Sequence, residues 1–169
     1  MTLRAIAAAL TCLLSFLGAA AYGNPIGVRE ATWRAQELSL VFDLRLAPRL
    51  IAAVEAHVAL SFLLSVECAG QRNDQRWVLY LAPLTRRYRV TDGFGNAREF
   101  PLRSEALASI ERVVTPMPGC PEPPAQPPTF RYRLNLAELP SALRVPALLQ
   151  DEWQLDTGWQ RVQQQPAGS

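Results

Sequence analysis
From Leu38 onward, hydrophobic and polar residues alternate: Leu38, Leu40, Phe42, Leu44 and Leu46 fall on one side, and Ser39, Asp43 and Arg45 on the other. A two-residue period of this kind predicts a β-strand with one face against a core. Pro48 suits a first helical position, and Leu50, Ile51, Val54 and Val58 recur at helical spacing, so a short helix is expected to end near His57. Val58, Leu60, Phe62, Leu64 and Val66 then resume the alternation, with Ala59, Ser61 and Ser65 small enough on the other side for close packing.

Arg76 to Val90 is a long β-like stretch carrying Trp77, Leu79, Leu81, Tyr88 and Val90, interrupted by Pro83. Proline cannot donate to a ladder, so this is either two strands or one with a bulge at Pro83. Asp92-Gly93-Phe94-Gly95-Asn96 reads as a hairpin tip, because glycine and asparagine take positive φ at low cost. Arg98 to Leu102 returns as a strand. Ser104 is placed to cap a helix from Glu105 to about Val114, with Leu107, Ile110 and Val114 on one face.

Residues 116–128 hold seven of the fourteen prolines and are expected to be an extended surface loop, entered at 115. Beyond it, Phe130, Tyr132, Leu134 and Leu136 alternate with Arg131, Arg133 and Asn135, the clearest amphipathic strand in the chain. Trp153, Leu155, Thr157 and Trp159 suggest a last strand, and residues 163–169 a frayed polar tail. About seven strands with one or two short helices predict an antiparallel β-sandwich, since each alternating strand needs an opposing apolar face. The other arrangement this pattern permits is α+β, with the helices on one face of an antiparallel sheet.

The N-terminus changes the picture of where the chain works. Arg4 is the only charge before Arg29, and the apolar run from Ala5 to Leu17 gives way to small residues at Gly18, Ala19, Ala20 and Ala21. This reads as a secretory signal cleaved after Ala21, hence a periplasmic address; the competing reading is an uncleaved anchor, for which the Ala-rich run is short. Cys12 lies inside the run, without the small residues of a lipoprotein signal before it, and leaves with it. Removing residues 1–21 from 169 leaves 148, which suits one domain over 22–162, and no later segment is apolar enough to span a bilayer. Without Arg4 the formal charge falls from +2 to +1, which argues against a nucleic-acid partner.

Cys68 and Cys120 are then the only two cysteines, an even number in an oxidising compartment, and a disulfide between them is expected, with two free thiols as the alternative. His57, the only histidine, has Glu55 and Glu67 as nearby carboxylates but reads as a helix-end or surface residue. Two cysteines and one histidine make no convincing zinc set, and neither Ser61 nor Ser65 stands in a glycine-flanked elbow. No catalytic, cofactor or metal residue is therefore assigned. Arg86, Arg87 and Arg89, with Arg131 and Arg133, form a basic aromatic pattern that reads either as solvated strand faces or as a contact surface for an anionic ligand.

The segments FDLRLAPRLIAAVEAHVALSFLLSVEC, RWVLYLAPLTRRYRV, EFPLRSEALASIERV, FRYRLNLAELPSALRVPALL and DEWQLDTGW resemble, in order, domain-of-unknown-function family 4390 of Gram-negative bacteria. The resemblance covers about Val28 to Trp159. It implies an exported small protein, with no catalytic residue to carry over, and a setting beside genes for a membrane sensor kinase. The long proline loop departs from the usual member. Two functions remain: a periplasmic binding or interaction module that modulates an envelope sensor, with sheet edges or the proline loop as its contact surface, and an envelope hydrolase using paired carboxylates such as Asp43 and Glu67.

Overall fold
The computed structural model describes residues 26–34, 36–121 and 126–162. The signal peptide expected at 1–21, Cys12, the tail at 163–169 and part of the proline loop lie outside the described residues. Two antiparallel sheets account for the strand-rich architecture. The smaller has the order β1-β2-β7, from β1 (Ile26–Arg34), β2 (Glu37–Leu44) and β7 (Arg112–Pro116). The larger has the order β6-β5-β4-β3-β8-β9, from β3 (Leu60–Cys68), β4 (Gln71–Leu81), β5 (Tyr88–Thr91), β6 (Ala97–Phe100), β8 (Thr129–Leu134) and β9 (Gln160–Arg161). Three helices complete the fold: α1 (Pro48–Glu55), α2 (Arg103–Glu111) and α3 (Ser141–Leu149).

Alternation decides which face of each strand is buried. Leu38, Leu40, Phe42 and Leu44 of β2 point inward, as do Leu60, Phe62, Leu64 and Val66 of β3 and Phe130, Tyr132 and Leu134 of β8. The sheets meet through aromatic rings: Phe42 stacks on Tyr132 at 4.5 Å between centroids, and Phe62 lies nearly parallel to Tyr132 at 5.9 Å. Tyr132 is thus at the centre of a core shared by both sheets. Each fully buried side chain of this size contributes roughly 1.5–3 kcal/mol through the hydrophobic effect.

Local chemistry sets the connections. Pro83 lies in the β4–β5 turn, so the stretch is two strands, closed by the Ala82 amide donating to the Arg87 carbonyl at 2.9 Å. At the β5–β6 tip, Asp92 Oδ1 accepts from the amides of Phe94 and Asn96, each at 2.9 Å, while Gly95 takes φ +87°. Gly93 stands in a tight place instead, since a Cβ there would lie 3.0 Å from the Gln75 Cβ.

Four expectations change. Among the described residues there are nine strands rather than seven and three helices rather than one or two. The second helix ends at Glu111, because Val113 and Thr115 alternate inward and residues 112–116 pair with β2; Leu102, not Ser104, precedes its first turn. Residues 153–159 keep their alternation, burying Trp153, Leu155 and Thr157, yet make only one bridge, Arg133 to Asp156, and Trp159 stays 43% exposed. The strand expected at Arg131–Leu136 ends at Leu134.

Candidate interaction surface
The five arginines singled out by the sequence do not form one patch. Arg86 and Arg87 belong to the β4–β5 turn, where Arg86 takes φ +52°. Arg89, Arg131 and Arg133 alternate against buried neighbours and so face outward on the larger sheet. Three interstrand steps separate β5 from β8, about 14 Å. Tyr132, between Arg131 and Arg133, points inward and is fully buried, and burial, with Glu111 adding to it, pushes its hydroxyl well above the ordinary tyrosine range.

Acids meet many of the arginines on that outer face. Arg131 holds Asp156 through its Nε at 2.9 and 3.1 Å and through a second, shorter contact from its terminal nitrogen. Arg72 reaches Asp74 at 2.9 Å and Ser65 at 3.0 Å, and Arg76 reaches Glu138 at 3.1 Å. Arg87 lies 3.9 Å from Glu99. Burial alone raises the pKa of Asp156, but hydrogen bonds from Arg131 and the Gly158 amide, with the charges of Arg131 and Arg133, leave it below the ordinary carboxylate range. Glu138 behaves alike: burial raises it, and Ser61, Arg76 and Asn135 bring it down. An outer face laced this way presents interleaved charges, and exposed pairs of this kind add little stability each.

His57 is the left-handed residue that closes α1, at φ +64°. Its amide donates to the Val54 carbonyl and the Val58 amide to the Ala53 carbonyl, each at 2.9 Å, which is the paired geometry of a Schellman terminus. Its Nδ1 donates to the Leu81 carbonyl at 2.9 Å, tying the helix end to β4. Glu55 pairs with Arg103 at 3.1 Å instead of with the imidazole.

Asp43 and Glu67 cannot act as a pair. Each alternates with core residues of its own sheet, so Asp43 stands on the outer face of the smaller sheet and Glu67 on the outer face of the larger. Asp43 meets Arg29 and Arg45 at 3.4 and 3.3 Å. The Ser61 hydroxyl donates to Glu138 at 2.5 Å, and Ser65 accepts from Arg72, so neither is coupled to His57. Among the described residues no three His, Cys, Asp or Glu side chains converge as metal ligands. No helix of the described residues is long and apolar enough to cross a membrane.

Cys68 and Cys120 are placed at disulfide distance, with Cα atoms 5.7 Å apart, inside the range a disulfide requires. Both are buried. The pair joins the end of β3 to the start of the proline loop.

The sequence reading passed over α3. Leu143 and Ala147 face the body, whereas Val145, Leu148 and Leu149 are 64%, 64% and 80% exposed. These three sit at i, i+3 and i+4, one stripe of a helix, turned to solvent. The helical spacing of Ala142, Val145 and Leu149 after Pro140 was a usable signal; Pro146 inside the helix disguised it. The remaining large exposed apolar side chains of the described residues, Leu84, Phe94, Leu102 and Trp159 in separate connections and Val114 in β7, are scattered, which is ordinary for a protein surface.

No curated protein and no solved structure matched the chain. The family described as domain of unknown function, DUF4390, matches residues 29–163, a span that takes in both sheets except the first three residues of β1, all three helices and the Cys68–Cys120 pair. With most of the sequence inside that match, the chain belongs to the DUF4390 family.

Proposed function
We propose that this protein is an exported interaction module of the bacterial envelope, working in the periplasm and contacting a protein partner through α3. The observation that carries the reading is the outward stripe of Val145, Leu148 and Leu149. Three large apolar side chains on one helical turn are a recurrent protein-recognition element, read as i, i+3 and i+4 anchors. Asp151, exposed, follows the helix after Gln150, while Glu152 beside it meets Arg49 at 3.6 Å, so an apolar groove with a basic residue at its rim near Asp151 complements it best. A membrane sensor is the kind of envelope protein that fits the family's setting. The N-terminal Arg4, the apolar run and Ala19-Ala20-Ala21 support export by a cleaved signal, with Cys68 and Cys120 forming their disulfide after export.

The test is a double variant, Leu148→Ser with Leu149→Ser, compared with the parent after crosslinking in the native envelope. Both changes remove exposed carbon, so the melting temperature is expected to hold. Loss of a discrete crosslinked partner with folding intact supports the reading; an unchanged crosslinking pattern opposes it. Mass measurement of the periplasmic protein checks export, the expected species beginning at Tyr22 and carrying no free thiol.

A further inference from the structure
The second surface is a sheet edge. β1 is the outermost strand of the smaller sheet, and among the described residues no strand pairs with its free side. Beside it opens a cleft of about 260 Å³, walled by β1 on one side and by Phe130, Gln160 and Arg161 of the larger sheet on the other. Unpaired amides and carbonyls along such an edge are a template for a further strand. The cleft supplies room for that strand's side chains between the two sheets.

Charge narrows what fits. The register of β1 against β2 shifts between Val28 and Glu30, which makes Arg29 the extra residue of a bulge, and a bulge re-aims its side chain. Arg29 lines the cleft with its side chain 65% exposed even as it reaches Asp43. Arg161 lines the opposite wall and is exposed. Glu30, also exposed, lines the cleft as well, so two guanidinium groups stand against one carboxylate, a balance that still favours acidic side chains, in the geometry that arginine recognises best. The same bulge and charges discourage a second copy from pairing along this edge, since its Arg29 would bring like charge.

We infer that the free edge of β1 accepts an extended acidic segment of a partner protein as an added strand, with Arg29 and Arg161 selecting its carboxylate side chains. Main-chain bonds to β1 supply the affinity and the two arginines the choice of sequence. The inference rests on β1 and β9 and stands whether or not α3 binds anything.

The experiment uses the mature protein and two capped eight-residue peptides, Thr-Val-Glu-Val-Thr-Val-Glu-Thr and its counterpart with Lys in place of Glu. Amide hydrogen exchange is followed along the chain. The Glu peptide is expected to slow exchange in residues 26–34 by about tenfold at saturation, and the Lys peptide to leave it unchanged. Arg29→Glu with Arg161→Glu should transfer the slowing to the Lys peptide. If that double variant does not fold, Arg161→Gln alone should weaken binding of the Glu peptide about fivefold. No slowing with either peptide, equal slowing with both, or slowing confined to another edge overturns the inference.

Discussion

Tyr132 shows how much one position is asked to do. Its ring stacks between Phe42 of one sheet and Phe62 of its own, with Trp77 edge-on at 6.4 Å. Tyr132→Asp places an unpaired charge in that contact and should cost several kcal/mol, on the order of 3–5, in urea unfolding. Tyr132→Phe separates ring from hydroxyl: the buried oxygen reaches no protein partner, so this variant should stay within about 1 kcal/mol of the parent. A Tyr132→Asp protein with unchanged stability would remove Tyr132 from the core. Asp156 adds a pH dependence. Its folded pKa lies below the unfolded value, so its stabilisation is present above the ordinary carboxylate range and is lost as pH falls through that range towards the folded value. Asp43, Asp74, Asp92 and Glu138 are lowered as well and add in the same direction. Urea midpoints taken from about pH 6 to about pH 3 should therefore fall steadily on acidification, and Asp156→Asn should flatten that fall while lowering the midpoint at pH 6. A midpoint independent of pH over this range contradicts the sign.

Strands were legible where the two-residue period ran unbroken, as in β2, β3 and β8. β1 was not, and the bulge is the reason: Ile26 and Val28 face inward, then Arg29 shifts the phase so that Ala31 and Trp33 face inward, and no single period fits IGVREATWR. The second helix was read too long because Val114 falls at helical spacing, although in the fold it is the exposed member of a strand whose Val113 and Thr115 are buried. α3 escaped because its apolar residues point away from the core that helical periodicity is used to find. Of the candidate site, cysteine arithmetic identified the Cys68–Cys120 pair, while the arginines were visible as residue types but not as partners of Asp156 and Glu99. Those partners come from distant segments, and pattern along the chain carries no information on them. The pair spans 52 residues, so a disulfide there should stabilise the fold by about 4 kcal/mol through restriction of the unfolded chain. Cys120→Ser is expected to lower the urea midpoint accordingly, and a variant as stable as the oxidised parent would show that the bond does not form.

As a whole, the molecule is a two-sheet core with many of its outward charges held in pairs, and with two features left open among the described residues: the apolar stripe of α3 and the free edge of β1. Carboxylates that lie on opposite outer faces, or whose pKa is held low by arginine, are poorly placed to share a proton at neutral pH. The proposed binding role draws on the two open features. The most direct measurement is site-specific photo-crosslinking in intact cells, with the photoreactive side chain introduced at Leu148 and, for comparison, at the exposed Glu37 of β2. The proposed α3 contact predicts one discrete protein adduct from position 148, none from position 37, and loss of that adduct when Leu149→Glu is added to a protein that still melts at the parent temperature. Identical adducts from both positions, or none from 148 in cells that export the folded protein, would contradict it.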